Sequence, residues 1–175
     1  MCVLVADVHP DEHRAAAVLA GLHRLPAFEA LGLRDAVVVV RHADSRLTVW
    51  QDPAVASATE PAPGLWDALA TVLVMTPPPA PGAGAALRPA LARLASLGVS
   101  ARFAAHLALR LAPATSAGGL VVAEASLRPL LDRLRPLGGV ALHTPLAACP
   151  RRPRAPPTAP DGPDGPDGPD GGAGR

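Results

Sequence analysis

The chain has 175 residues, 16 basic and 15 acidic, and a formal net charge of +1. That length suggests one domain, and scattered arginines at near-zero net charge exclude the basic face that nucleic-acid binding needs. Aromatics are confined to Phe28, Trp50, Trp66 and Phe103, and neither Ile, Tyr, Asn nor Lys occurs, so the core must be built from many small Ala, Val and Leu contacts rather than a few large anchors.

Cys2 to Val8 is Val-rich and alternating, which predicts a first strand. His9-Pro10-Asp11-Glu12 predicts a helix start, because Pro is tolerated at the first helical position and acids oppose the positive helix end. The helix should run to about Arg24 and bury Ala15, Val18, Leu19 and Leu22, spaced by three and four. Pro26 ends it. Asp35 to Arg41 is the clearest strand. A continuous β-branched run implies that both faces are covered, so it should be central. His42 to Arg46 has hairpin length, with Asp44-Ser45 suited to the turn, and Leu47 to Gln51 is the returning strand.

From residue 53 to about 98 the pattern loosens into a helical insertion. Leu65 to Met75 predicts one helix, Pro77 to Pro81 a bend, and Leu87 to Leu97 another helix. Ser100 is placed to cap a helix over Ala101 to Leu111. Pro113 to Gly118 is predicted as loop, Gly119 to Ala123 as strand, and Ser126 as the cap of a helix through Leu134. Gly138-Gly139 stops that helix, and Val140 to Thr144 is the last strand. The expected fold class is therefore α+β, in a ferredoxin-like split βαβ outline with a helical insertion.

The domain should occupy residues 1–148. Residues 149–175 are a Pro-rich tail ending in Pro-Asp-Gly repeats, with no apolar side chain larger than Ala from Pro150 onward. Such a segment cannot bury enough surface to offset its ordering entropy, so it is predicted to be disordered, its Pro-Asp-Gly repeats a flexible, acidic spacer. Cys2 and Cys149 lack a CxxC partner and are expected as free thiols. No basic segment followed by an apolar run marks a signal peptide at the N-terminus, and a cytoplasmic protein is expected. The exclusive use of Arg, with abundant Ala, Gly and Pro, fits a GC-rich bacterial coding bias.

Leu31 to Arg41, the strand ending Trp50-Gln51, then Gly64-Leu65-Trp66 resemble a bacterial family of uncharacterised predicted membrane proteins (domain of unknown function 1269). In the second half, Gly98-Val99-Ser100 before a helix, a Pro-containing loop with Ser116, an apolar strand and Gly138 to Thr144 follow the family's order. The resemblance spans roughly residues 2–148 and implies membrane association through an apolar insertion. It supplies no catalytic residues. The chain departs from the family at Asp67 and at Pro77 to Pro81, where the apolar run is interrupted. A spanning helix needs about 20 mostly apolar residues, and Leu65 to Met75 is too short.

No residue pattern here carries recognisable chemistry. His9 and His13 are four apart, but His9 precedes Pro10 and no third ligand is evident. His42 could meet His143 or Asp44 at strand ends. Ser116 with His106, or Cys2 with His9, would pair a nucleophile with a base, but neither sits in a supporting motif. Gly82-Ala83-Gly84 and Gly118-Gly119 lack a phosphate-loop pattern and are expected as turn or spacer. No catalytic, metal or cofactor site is assigned. The strongest candidate surface is Leu65, Trp66, Leu69, Val72, Leu73 and Met75, read either as a membrane or partner contact or as a helix packed over the sheet. The expected function is non-enzymatic, through self-association, with a homo-oligomer the default, or through contact with a protein partner. The alternatives are membrane association, and a small-ligand sensor or enzyme.

Overall fold

The run Val37-Val38-Val39-Val40 is buried along its whole length, as a strand covered on both faces requires. It belongs to β2 (Leu33–Arg41) in a computed structural model that describes residues 1–26, 28–56, 64–76 and 84–149. The other elements, in chain order, are β1 (Cys2–His9), α1 (Arg14–His23), β3 (Leu47–Gln51), α2 (Pro53–Ala56), α3 (Leu65–Val74), α4 (Gly84–Ser96), α5 (Ala101–Arg110), β4 (Thr115–Ala123), α6 (Glu124–Leu134) and β5 (Val140–Leu146). The class is α+β. The strands form one sheet in the order β3-β2-β4-β1-β5, with every neighbouring pair antiparallel.

Two crossovers build the centre of that sheet. β1 passes through α1 to β2, leaving a gap that β4 fills. β4 passes through α6 to β5, which lies beyond β1. Alternation along each strand then divides the core in two. Val3, Val5, Val38, Val40, Leu120 and Val122 face α1 and α6. Leu4, Ala6, Val37, Val39, Ala117 and Val121 face α3, α4 and α5. The insertion and α5 together are thus a second helical layer closing the opposite face of the sheet. The stripe Ala15, Val18, Leu19 and Leu22 is the buried face of α1, and Ser100 caps α5 by accepting the Phe103 N–H.

Several boundaries differ from expectation, each for a local reason. α1 starts at Arg14 rather than Pro10, because Asp11 lies outside the helix and its Oδ1 accepts the N–H groups of His13 (2.9 Å) and Arg14 (2.8 Å). α6 starts at Glu124, so Ser126 is inside the first turn and caps nothing. Its hydroxyl instead packs against left-handed Gly32 (φ 61°), where a Cβ would come within 2.9 Å. Thr115 to Gly118 is strand, not loop. Its weak β propensity is overridden because β4 is paired on both sides, with β1 and β2. The bend expected at Pro77 to Pro81, the residues Gly82-Ala83, and the tail from Pro150 lie outside the described residues.

The two cysteines are not free thiols. β5 lies beside β1 with Cys2 opposite Leu146, so the chain reaches Cys149 three residues later. Cys2 and Cys149 form a disulfide with a Cα–Cα distance of 5.1 Å, inside the usual range. The cross-link spans 147 residues of sequence. On a chain-entropy model its loss destabilises by about 5 kcal/mol. Reduction should therefore shift the urea midpoint of the wild type strongly downward, and a Cys2→Ser, Cys149→Ser variant should sit at the reduced value whether or not reductant is present.

Gly119 is not a spacer. It lies in the middle of β4 opposite Val37, and a Cβ there would come within 2.7 Å of the Trp66 ring and 2.9 Å of a Val37 methyl. Gly119→Ala should cost about 1–3 kcal/mol through overpacking, read as a lower urea midpoint.

Candidate functional site

The surface singled out in the sequence is the packing face of α3. Leu65, Leu69, Val72 and Leu73 are buried in the core, Trp66 is half-buried against it, and Met75 is half-buried just past the helix end. The outward positions on this helix are Asp67 and Val74, the latter 56% exposed. Contact with a membrane or a partner through the buried set would require α3 to leave the sheet. Among the described residues no helix is long and apolar enough to cross a membrane.

What holds α3 down is polar. The Trp66 indole N–H donates to Asp35 Oδ2 (2.8 Å), while Asp35 Oδ1 accepts from Gln51 Nε2 (2.8 Å) and the Ala36 N–H (2.9 Å). Asp35 is fully buried, and these bonds give both its oxygens partners, as burial of a carboxylate demands. They tie α3, β2 and β3 together. At the far end of α3, Arg41 donates to the carbonyls of Leu73 and Thr76. Its cation thus faces the negative end of the helix, and burial holds its pKa below the usual guanidinium value.

The His9–His13, His42–His143, Ser116–His106 and Cys2–His9 pairs considered from sequence are not assembled. His9 is buried, 1% exposed, while His13 is exposed at the start of α1. His143 lies on β5, with β1 and β4 between it and β2, whose end carries His42. Ser116 points toward α1, donating to Asp11 O (2.6 Å) and accepting from the Ala15 N–H (3.1 Å). His106 is exposed on α5, across the sheet. Cys2 and His9 fall on opposite faces of β1, and the Cys2 sulfur is already bonded. No cluster of three or more metal-ligating side chains exists among the described residues.

Three features were missed in the sequence. His42 bridges Glu12 Oε2 (2.8 Å) and Thr48 Oγ1 (2.9 Å), and Glu12 Oε1 accepts the Ala43 N–H (3.0 Å). This network ties the hairpin loop to the β1–α1 turn. His23 bonds Asp52 and stacks on Phe28 at 4.3 Å. Asp7 and His9 form a buried pair beneath α1, at 2.8 Å, and burial raises the Asp7 pKa while the neighbouring His9 partly opposes the rise. Period-two alternation could have revealed this last pair, since Asp7 and His9 share a face with Val3 and Val5.

The edge strand β3 is open to solvent. On it, Val49 is 37% and Trp50 41% exposed. Trp50 pairs with Val38 and so lies on the α1 side, where the helical layer ends one strand short of the edge. A groove of about 400 Å3 lies there, lined by Ala16, Ala20, His23, Arg24, Trp50 and Asp52. The other edge, β5, carries Pro145, which cannot donate to a new strand.

Comparison with protein-family models, with curated proteins and with solved structures finds no match to this chain.

The hydrogen bond from His42 holds the Glu12 carboxyl below its ordinary value of 4.5. A lowered folded-state pKa stabilises above the unfolded value, and that contribution is lost as pH falls through the folded value. The stability gap between wild type and Glu12→Gln should accordingly be present at neutral pH and shrink below pH 4.5, measured by urea denaturation across the acid range.

Proposed function

We propose that this chain is a non-enzymatic interaction module that self-associates through the free edge of β3, on a ferredoxin-like core extended by the β2–β3 hairpin. In this reading it is a soluble-faced relative of the family it resembles, with the apolar insertion turned onto the sheet. The ferredoxin-like assignment is supported by the β2-β4-β1-β5 arrangement, joined by the α1 and α6 crossovers. The observation carrying the functional reading is β3 itself: an edge strand with unpaired backbone groups and exposed Val49 and Trp50. Such an edge is a template for another strand.

The sequence of β3 favours a second copy of the same chain. Antiparallel pairing centred on Val49 sets Trp50 beside Thr48 of the second copy and Leu47 opposite Gln51. The favoured register satisfies both edges at once and makes an isologous contact, giving one continuous antiparallel sheet through two molecules.

Sedimentation velocity on the full chain should show a dimer, and Val49→Lys should be a folded monomer whose melting temperature no longer depends on protein concentration, because a Lys on an edge strand opposes pairing without entering the core. A wild type that stays monomeric at every accessible concentration, or a Val49→Lys variant that still dimerises, would sink the proposal.

A further inference from the structure

α1 and α6 cover the same face of the sheet, but they do not close on each other along their whole length. Between them lies a groove of about 300 Å3, at the small end of the range of about 300–1,000 Å3 that ligand pockets occupy. Its apolar lining comes from Val18, Leu22 and Leu25, in and just after α1, and from Leu137 beyond the end of α6. None of its lining side chains is acidic, and none comes from β3, so it is separate from the edge strand proposed for pairing.

The groove exists because α1 presents almost no side chain there. Ala17 and Gly21 line it and stand four apart, on one face of the helix. A glycine inside a helix is less favourable than an alanine, and packing does not call for this one, since a Cβ added at Gly21 meets no atom within 4 Å.

The charge at the groove is positive. Arg14 and Arg133 line it from the two helices. One guanidinium N–H of Arg14 donates to Leu137 O (3.3 Å). Arg133 is exposed, and among the described residues its guanidinium has no hydrogen-bond or ion-pair partner. A guanidinium carries five N–H donors in a planar fork that fits a carboxylate bidentately. An apolar trough with two cations and no acid selects an anion with an aliphatic body and disfavours a cation. Its volume fits one small molecule.

We infer that this groove is a binding site for a small aliphatic carboxylate, with its chain laid over Gly21 beside Leu22 and Leu137 and its head group paired with Arg133. Arg14 adds a second positive charge from the facing helix.

Octanoate is the probe. In an NMR titration of the full chain, it should shift the amide signals of Gly21, Leu22 and Leu137 saturably. Octan-1-ol, which keeps the chain without the charge, should bind about tenfold more weakly, the scale of one charge-assisted hydrogen bond. Acetate, which keeps the charge without the chain, should bind more weakly still. Arg133→Gln should weaken octanoate by about tenfold and leave octan-1-ol unchanged. Gly21→Leu fills the groove from an open position and should abolish the shifts while melting no lower than the wild type. Octanoate that produces no saturable shift at these residues overturns the inference. So does equal binding of octanoate and octan-1-ol, or of octanoate to the wild type and Arg133→Gln, because the charge is then not read. Undiminished binding to Gly21→Leu overturns it as well, because the ligand then sits elsewhere.

Discussion

Trp66 rests on Gly119, and its N–H is held by Asp35. The rest of the architecture depends on that contact. A chain with so few aromatics covers two faces of a five-stranded sheet, and the face opposite α1 is covered by the insertion together with α5. The missing side chain at Gly119 makes room for the indole, and the buried carboxylate fixes its direction. Because Asp35 also binds Gln51, the same group that anchors the insertion holds the edge hairpin in place. Arg41 secures the other end of α3 through its last carbonyls.

The strands and helices that carry a strong period were legible in the sequence. β2 announced its central place through its unbroken run of Val, and α1 its buried stripe through spacings of three and four. Elements decided by tertiary pairing were not. Thr115 to Gly118 has no strand signature, and becomes strand because β1 and β2 flank it. Cys2 and Cys149 lie at opposite ends of the chain, and become neighbours only when β5 is laid beside β1. The apolar helix around Trp66 was legible as a helix, but its partner was not, because local sequence does not say which surface an apolar face will meet.

The polar interior was the least legible part. Asp35, Arg41, Asp7 and His9 stand within strand segments read for their apolar pattern, and their roles depend on groups far along the chain or across the sheet. Asp35 has partners at both oxygens, and Arg41 donates to two carbonyls through its terminal nitrogens. Asp7 and His9 are only half-satisfied by each other. The open edge follows from the same layering: helices cover the centre of the sheet and stop short of β3, so Trp50 remains outside while Trp66 is held inside.

The two tryptophans therefore report the architecture directly. Hydrogen exchange of their indole N–H groups, followed by NMR on dilute protein, should find Trp66 protected to the level of the β2 and β4 amides and Trp50 exchanging at the rate of an open surface. Rapid exchange at Trp66 would mean that its bond to Asp35 does not hold α3 on the sheet, and would contradict the three-layer arrangement from which the free edge follows.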